Sequence, residues 1–450
     1  MFHDQGILRK ADDMSADERR NCVWPDKDHV WDSARDLGTD GVVYSDRTLQ
    51  SDYFEMRKVY APVRLGAADV KFVPGGRLSF SAPVENRFDS VALDKGAKGR
   101  WRLFADRREV AGGELGMPPL PPHAKGVLSF EADSPGAEAS IWRLELSFNS
   151  PRTGFSLYER SYPVKVELPR TEAAGDIALG FDAATKEVVL RSSGAEIFRS
   201  PVLARVDRRS MLSKDRKTNQ YDRWTPNALE PSSVEVVSCG DGHLTLDVLW
   251  RPKAHTSKKD VKGRRELSGR ISLKAESGKI KVDYALEYAC ARKLVETGIA
   301  FELPAKYRRF DWVGLGPYEC YPRVSMLSEF GVWAYDRDDL RFPGNRREVR
   351  MVLSSAADGS VVSLECPGNG SDVAFERRGE KTLLAHNAFV AGKACKFNDP
   401  LEMADFCAGE KLTGSFVLTP KVKMAGGALS GVFGELREIA PFKPFFKTYD

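Results

Sequence analysis

A chain of 450 residues with 42% hydrophobic and 29% charged side chains holds enough apolar material for packed cores, which excludes disorder by composition. Its 68 basic and 64 acidic residues leave a formal net charge of +4, too balanced for the basic stripe that nucleic-acid binding requires. No apolar run reaches membrane-spanning length, and Met1-Phe2-His3-Asp4-Gln5 has no signal-peptide character. Seven scattered cysteines without a C-x-x-C pair argue against a disulfide framework or a zinc site, and for free, mostly buried thiols in a reducing, cytoplasmic setting. Six histidines show no metal spacing.

In chain order, residues 1–60 do not read as a domain. Ser15 to Arg20 has the capping-box spacing of one short helix, with Glu18 three residues after Ser15; the remainder reads as loop. Residues 61–168 read as an immunoglobulin-like β-sandwich. Val70–Val73 and Arg77–Ser81 flank the hairpin signal Pro74-Gly75-Gly76, and Ile141–Phe148 alternates with period two. Leu115 to Pro122, with four prolines, reads as an extended connector. Trp101, Trp142 and Trp250 sit on strand-like runs and read as core.

Residues 169–424 read as a larger antiparallel region. His243–Trp250 alternates, and Ile280, Val282, Tyr284, Leu286 and Tyr288 share one face of a strand. Sheet-on-sheet packing, a supersandwich, is the natural architecture for so many strands. The basic run Lys253 to Arg265 reads as a solvated hairpin loop, and Asp336, Asp338 and Asp339 as charges of a turn. Residues 425–450 read as an extension packing over an edge.

One stretch organises the whole: Trp312-Val313-Gly314-Leu315-Gly316-Pro317-Tyr318-Glu319-Cys320-Tyr321-Pro322. It follows a strand-like run over 297–304, and its glycines and prolines predict a rigid, tightly turned loop presenting Tyr318, Glu319 and Tyr321. A structural turn and a ligand-facing loop are both compatible with it. Glu319 is the best single polar candidate, whether it bonds to loop amides or to a ligand.

The stretch resembles the W-x-G-x-G-P-x-E-x-Y-P signature of the C-terminal domain of family 2 β-galactosidases, with seven signature positions in eleven residues. A second motif, Phe342-Pro343-Gly344-Asn345-Arg346-Arg347-Glu348-Val349-Arg350, is similar to the family's NR-x-x-VR strand. Near the start, Asp4-Gln5-Gly6-Ile7-Leu8-Arg9-Lys10 resembles the D-Q-G-L-R-K that follows the last barrel strands. Gly38 to Thr48 is similar to N-G-L-V-x-x-D-R-T-P, followed by Glu55-Met56-Arg57-Lys58. The resemblance implies an all-β chain: a short remnant of a TIM-barrel C-terminus, then an immunoglobulin-like sandwich, then a large antiparallel supersandwich.

What the resemblance implies about chemistry is conditional. A retaining glycosidase needs two carboxyl groups about 5 Å apart, and in the family both glutamates lie on barrel strands before the point where this chain begins. The chain is therefore expected to carry no catalytic residue of its own. It would hydrolyse terminal β-galactosides only when a barrel-containing large subunit completes it, with sodium and magnesium as ions of the completed enzyme. The alternative is a non-catalytic carbohydrate-binding or interaction protein, or an inactive truncated product; a homo-oligomer fits either. Asp40 stands where the family has a sodium-site asparagine, and it reads either as a cation ligand or as a turn residue before Gly41. Where the family has G-G-D-D-S-W, residues 390–399 offer Phe397 as the one aromatic, a stand-in for the sugar platform. Arg323 follows Pro322 where the family has Asp-Arg.

Overall fold

The computed structural model describes residues 7–10, 15, 29–32, 51–106, 108–168, 172–173, 175–192, 194–206, 228–240, 242–250, 267–289, 292–294, 296–317, 320–322, 328–336, 344–378, 380–392 and 404–423. They are nearly all β, in stacked antiparallel sheets that do not close into a barrel. Among them no helix is long and apolar enough to cross a membrane.

The described part of the first 60 residues is more regular than the loop expected of it. Ile7–Lys10 pairs antiparallel with His29–Asp32, and Ser51–Val59 is a helix. The helix escapes a periodicity reading because no strong apolar stripe marks it. Arg57 and Lys58 in its last turn suit the negative end of the helix dipole. Long-range bonds then hold it: Arg57 Nη2 donates to the Ser156 carbonyl at 2.7 Å, and Arg87 Nη1 to that of Val59 at 2.5 Å. Of the helix expected at Ser15–Arg20, Ser15 is exposed coil and the rest lies outside the described residues.

The first sandwich has two four-stranded sheets. One contains Val63–Leu65, Asp69–Phe72, Arg77–Asn86 and Lys125–Asp133; the other contains Lys98–Ala105, Arg108–Leu115, Ile141–Asn149 and Ser156–Val166. Alternation decides which side chains face the other sheet: Leu78, Phe80, Ala82 and Val84 point inward from one strand. Trp101 and Trp142 join them in the core. The predicted hairpin turns at Gly75, whose φ of 71° favours glycine. Beyond Leu115 the proline connector forms neither helix nor strand and turns at Leu120 and Ala124, and Asn86 Nδ2 lies within 3.0 Å of the carbonyls of Val91, Leu120 and Pro121.

The second region packs a six-stranded sheet on a nine-stranded one. In the six-stranded sheet the order is Ala228–Leu229, Leu203–Val206, Glu296–Leu303, Lys381–Val390, Ser371–Arg378, Gly344–Val349. In the nine-stranded sheet it is Pro231–Gly240, His243–Trp250, Leu267–Glu276, Lys279–Tyr288, Lys411–Thr419, Val361–Glu365, Met351–Ala356, Tyr307–Gly316, Glu329–Asp336. Ile280, Val282, Tyr284, Leu286 and Tyr288 all enter the core between them, as does Trp250. Within that core His386 stacks on Phe416 and shares a 2.8 Å hydrogen bond with the Tyr284 hydroxyl. Burial holds its imidazole neutral, with the pKa lowered to about 4.

A separate apolar cluster joins the two regions. Ile141, with Val166 and Leu168 beside it, packs on Val313, Phe330, Met351 and Leu353. Of the cysteines with described side chains, Cys320 and Cys366 are buried and Cys239 and Cys407 exposed, all as free thiols; the expectation of mostly buried thiols holds for half of these. The basic run 253–265, Asp338, Asp339 and the residues after 423 lie outside the described residues.

Candidate functional site

The signature stretch was expected to break regular structure at once. Instead the strand Tyr307–Gly316 runs through its first half, and Trp312 and Val313 are fully buried. Its glycines serve close approach rather than a turn. A Cβ on Gly314 would lie 2.8 Å from the Cα of Val349, and one on Gly316 only 2.5 Å from the Trp333 ring. The Trp333 indole fills that space and donates to the Gly314 carbonyl at 3.1 Å. The Gly316–Pro317 bond is cis, and the chain leaves the sheet there.

Beyond the turn, Cys320 and Tyr321 are fully buried, and what holds them is the second sequence motif. The Cys320 amide donates to the Asn345 carbonyl at 2.7 Å, and Asn345 Nδ2 returns a bond to the Cys320 carbonyl at 3.0 Å. The Asn345 amide donates to the Tyr321 hydroxyl at 3.3 Å. Nδ2 also reaches Asp372 Oδ1 at 2.8 Å, and Oδ1 accepts from Asn387 Nδ2 at 2.9 Å. Asn345 thus ties the stretch to two neighbouring strands. Arg346 beside it is fully buried, its guanidinium within cation–π range of two rings, 5.2 Å from that of Trp312 and 5.7 Å from that of Phe375.

The electrostatics are those of a held structure. Burial pushes the Cys320 thiol up to about 12, so it is no nucleophile at neutral pH. Burial also raises the Asp372 carboxyl, against the Asn345 bond and the charge of Arg347, whose Nε lies 3.6 Å away. On the same sheet Arg205 pairs with Glu296 at 2.7 Å, both about 3% exposed in their side chains. Among the described residues no group of three His, Cys, Asp or Glu could hold a metal ion.

Past the stretch, Glu329 fastens three parts of the chain together. It pairs with Lys58 of the helix, and its Oε2 accepts the Ser161 amide at 2.7 Å. Ser161 Oγ donates to the Phe330 carbonyl at 3.1 Å. Burial, the largest cause, raises the Glu329 carboxyl, and Lys58 opposes it. A raised carboxyl holds its proton more tightly folded than unfolded, so its stabilising effect is present at low pH and lost as the pH rises through the raised value. Lys58→Met removes the opposing charge and widens that loss. The expected deficit is about 2–3 kcal/mol at pH 8 and smaller at pH 5. Urea midpoints at the two pH values check it; an equal deficit at both would remove the charge argument.

Of the residues singled out from sequence, Tyr318, Glu319, Phe397 and Asp40 lie outside the described residues, as does Arg323. The described neighbours Cys320 and Tyr321 show what the stretch is anchored to. Sequence reasoning missed Asn345 as an anchor although it lies in a motif already noticed, and missed Asp372, Asn387 and Glu329 altogether. No local pattern announces those three, because their partners lie 27 to 271 residues away in the chain.

Residues 176–381 match the family model described as the β-galactosidase small chain. The match is consistent with a β-galactosidase C-terminal part. Both motifs and all four of Asn345, Asp372, Glu329 and Arg346 fall inside the matched span. No curated protein matches the chain. Among solved structures, it is similar to a galactose mutarotase-like protein from Lactobacillus casei ATCC 334, at 13% identity and a TM-score of 0.35, over 56% of this chain and 99% of that one. A galactose mutarotase related enzyme from Lactobacillus acidophilus aligns at 12% identity and a TM-score of 0.33, over 57% and 99%.

Proposed function

We propose that this chain is the smaller part of a two-chain β-galactosidase and acts on terminal β-galactosides once a larger, barrel-containing chain supplies the catalytic carboxylates. The observation that carries this reading is the small-chain match over residues 176–381. The anchoring around the signature supports it. Asn345 and Glu329 hold the stretch on either side of residues 318–319, and Glu329 links it to the helix that ends the N-terminal segment. A surface that must meet another chain in one geometry gains from such pre-organisation, because less ordering remains to be done on binding.

The test is hydrolysis of a chromogenic β-galactoside by the purified chain, alone and mixed with the barrel-containing protein encoded nearest to its gene. Turnover is expected only in the mixture. Turnover by the chain alone would mean that it carries its own carboxylate pair. Silence in both arms would overturn the reading.

A further inference from the structure

The outward face of the nine-stranded sheet is not flat. Across the strands Pro231–Gly240, His243–Trp250, Leu267–Glu276, Lys279–Tyr288 and Lys411–Thr419 runs an open groove of about 1190 Å³. Strand register explains its shape. One cross-strand row reads Glu235, Asp247, Arg270, Ala285, Thr413, and the next reads Ser272, Asp283, Ser415. The small side chains of Ser272, Ala285, Thr413 and Ser415 form a low floor, and the longer charged ones stand around it. Each row advances about 4.8 Å per strand, so polar groups recur across the groove at a spacing on the scale of one sugar ring.

We propose that this groove binds a neutral, linear saccharide through this chain alone, whatever the larger chain does. The charges argue for a neutral ligand. Four carboxylates line the groove against two cations, which disfavours polyanions such as nucleic acid or acidic polysaccharide. The described ion pairs already engage two of the four carboxylates, Asp247 and Asp283. Arg270 holds Asp247 through two bonds of 2.7 Å, lowering its carboxyl pKa, and Asp283 accepts from Ser415 at 2.7 Å and pairs with Lys281. A peptide adding itself as a strand is excluded mid-sheet, because the backbone groups there already pair with neighbouring strands. What remains on offer is an array of fixed side-chain donors and acceptors on rigid strands, which suits ligand hydroxyls. An ion-paired carboxylate and guanidinium keep spare lone pairs and N–H groups for them.

The experiment is titration calorimetry of the full chain with β-1,4-galactotetraose and cellotetraose as neutral probes and trigalacturonate as the charged one. At least one neutral tetraose is expected to bind, and trigalacturonate less tightly. Arg270→Ala should weaken binding roughly tenfold, the scale of one charge-assisted hydrogen bond. Ala285→Trp, which fills the floor from the solvent side, should abolish it. Unchanged thermal unfolding of both variants would show that the fold survives. No binding of either neutral probe, tighter binding of trigalacturonate, or affinity untouched by both substitutions would each overturn the proposal. None of these outcomes depends on hydrolysis, so failure here and failure of the two-chain reading are told apart.

Discussion

Replacing Asn345 by alanine is expected to destabilise the chain by about 3–5 kcal/mol. The residue is fully buried, and its side chain makes three hydrogen bonds: to the Cys320 carbonyl, to Asp372 and from Asn387. Alanine strands all three partners away from water, and one of them is a carboxylate whose burial already disfavours its charge. Asn345→Asp separates lost bonds from lost volume. It keeps the shape but sets a second carboxyl against Asp372 in place of a donor, so its deficit should shrink as the pH falls and one of the pair takes up a proton. Urea unfolding at pH 7 and pH 5, with hydrogen exchange of the Cys320 amide, measures both effects. An alanine variant within 1 kcal/mol of the parent, a loss far below this range, would remove Asn345 as the anchor of the signature.

The second large effect is expected at Arg205 and Glu296, which pair at 2.7 Å in near-complete burial. Arg205→Met alone takes the guanidinium away from a buried carboxylate and should cost about 3–5 kcal/mol. Combining it with Glu296→Leu removes the second charge as well, and most of the loss should return, since well-packed apolar groups often replace a buried ion pair at little cost. Removing Glu296 also relieves the neighbouring Asp372, whose carboxyl Glu296 helps to raise. A double-mutant cycle reads the coupling directly. If the double variant were as unstable as the two single losses added together, the pair would not be acting as a unit.

Much of the fold was legible in local pattern. Alternation named the buried face of Lys279–Tyr288 and of His243–Trp250, and Pro74-Gly75-Gly76 named its hairpin, because period two and turn chemistry are properties of a few adjacent residues. The helix Ser51–Val59 was missed because contacts to Ser156 and Glu329, not its own amphipathicity, hold it. The strand through Gly316 was missed because two glycines read as a turn, when they instead leave room for Val349 and the Trp333 ring. Of the candidate site, the sequence showed both motifs but not that Asn345 of one grips Cys320 of the other.

The sequence by itself determined that this is an all-β chain with two motifs resembling those of a β-galactosidase C-terminal part, and which strand faces are apolar. Only the tertiary structure decided what those motifs do to each other. It also decided that Glu329 gathers the helix, the first sandwich and the signature into one junction, and that side chains from five strands line up into a groove. The physical reason is the same in each case. An apolar period is written along the chain, whereas a hydrogen bond or a cross-strand row depends on register between segments far apart in sequence, and register is settled when whole sheets pack.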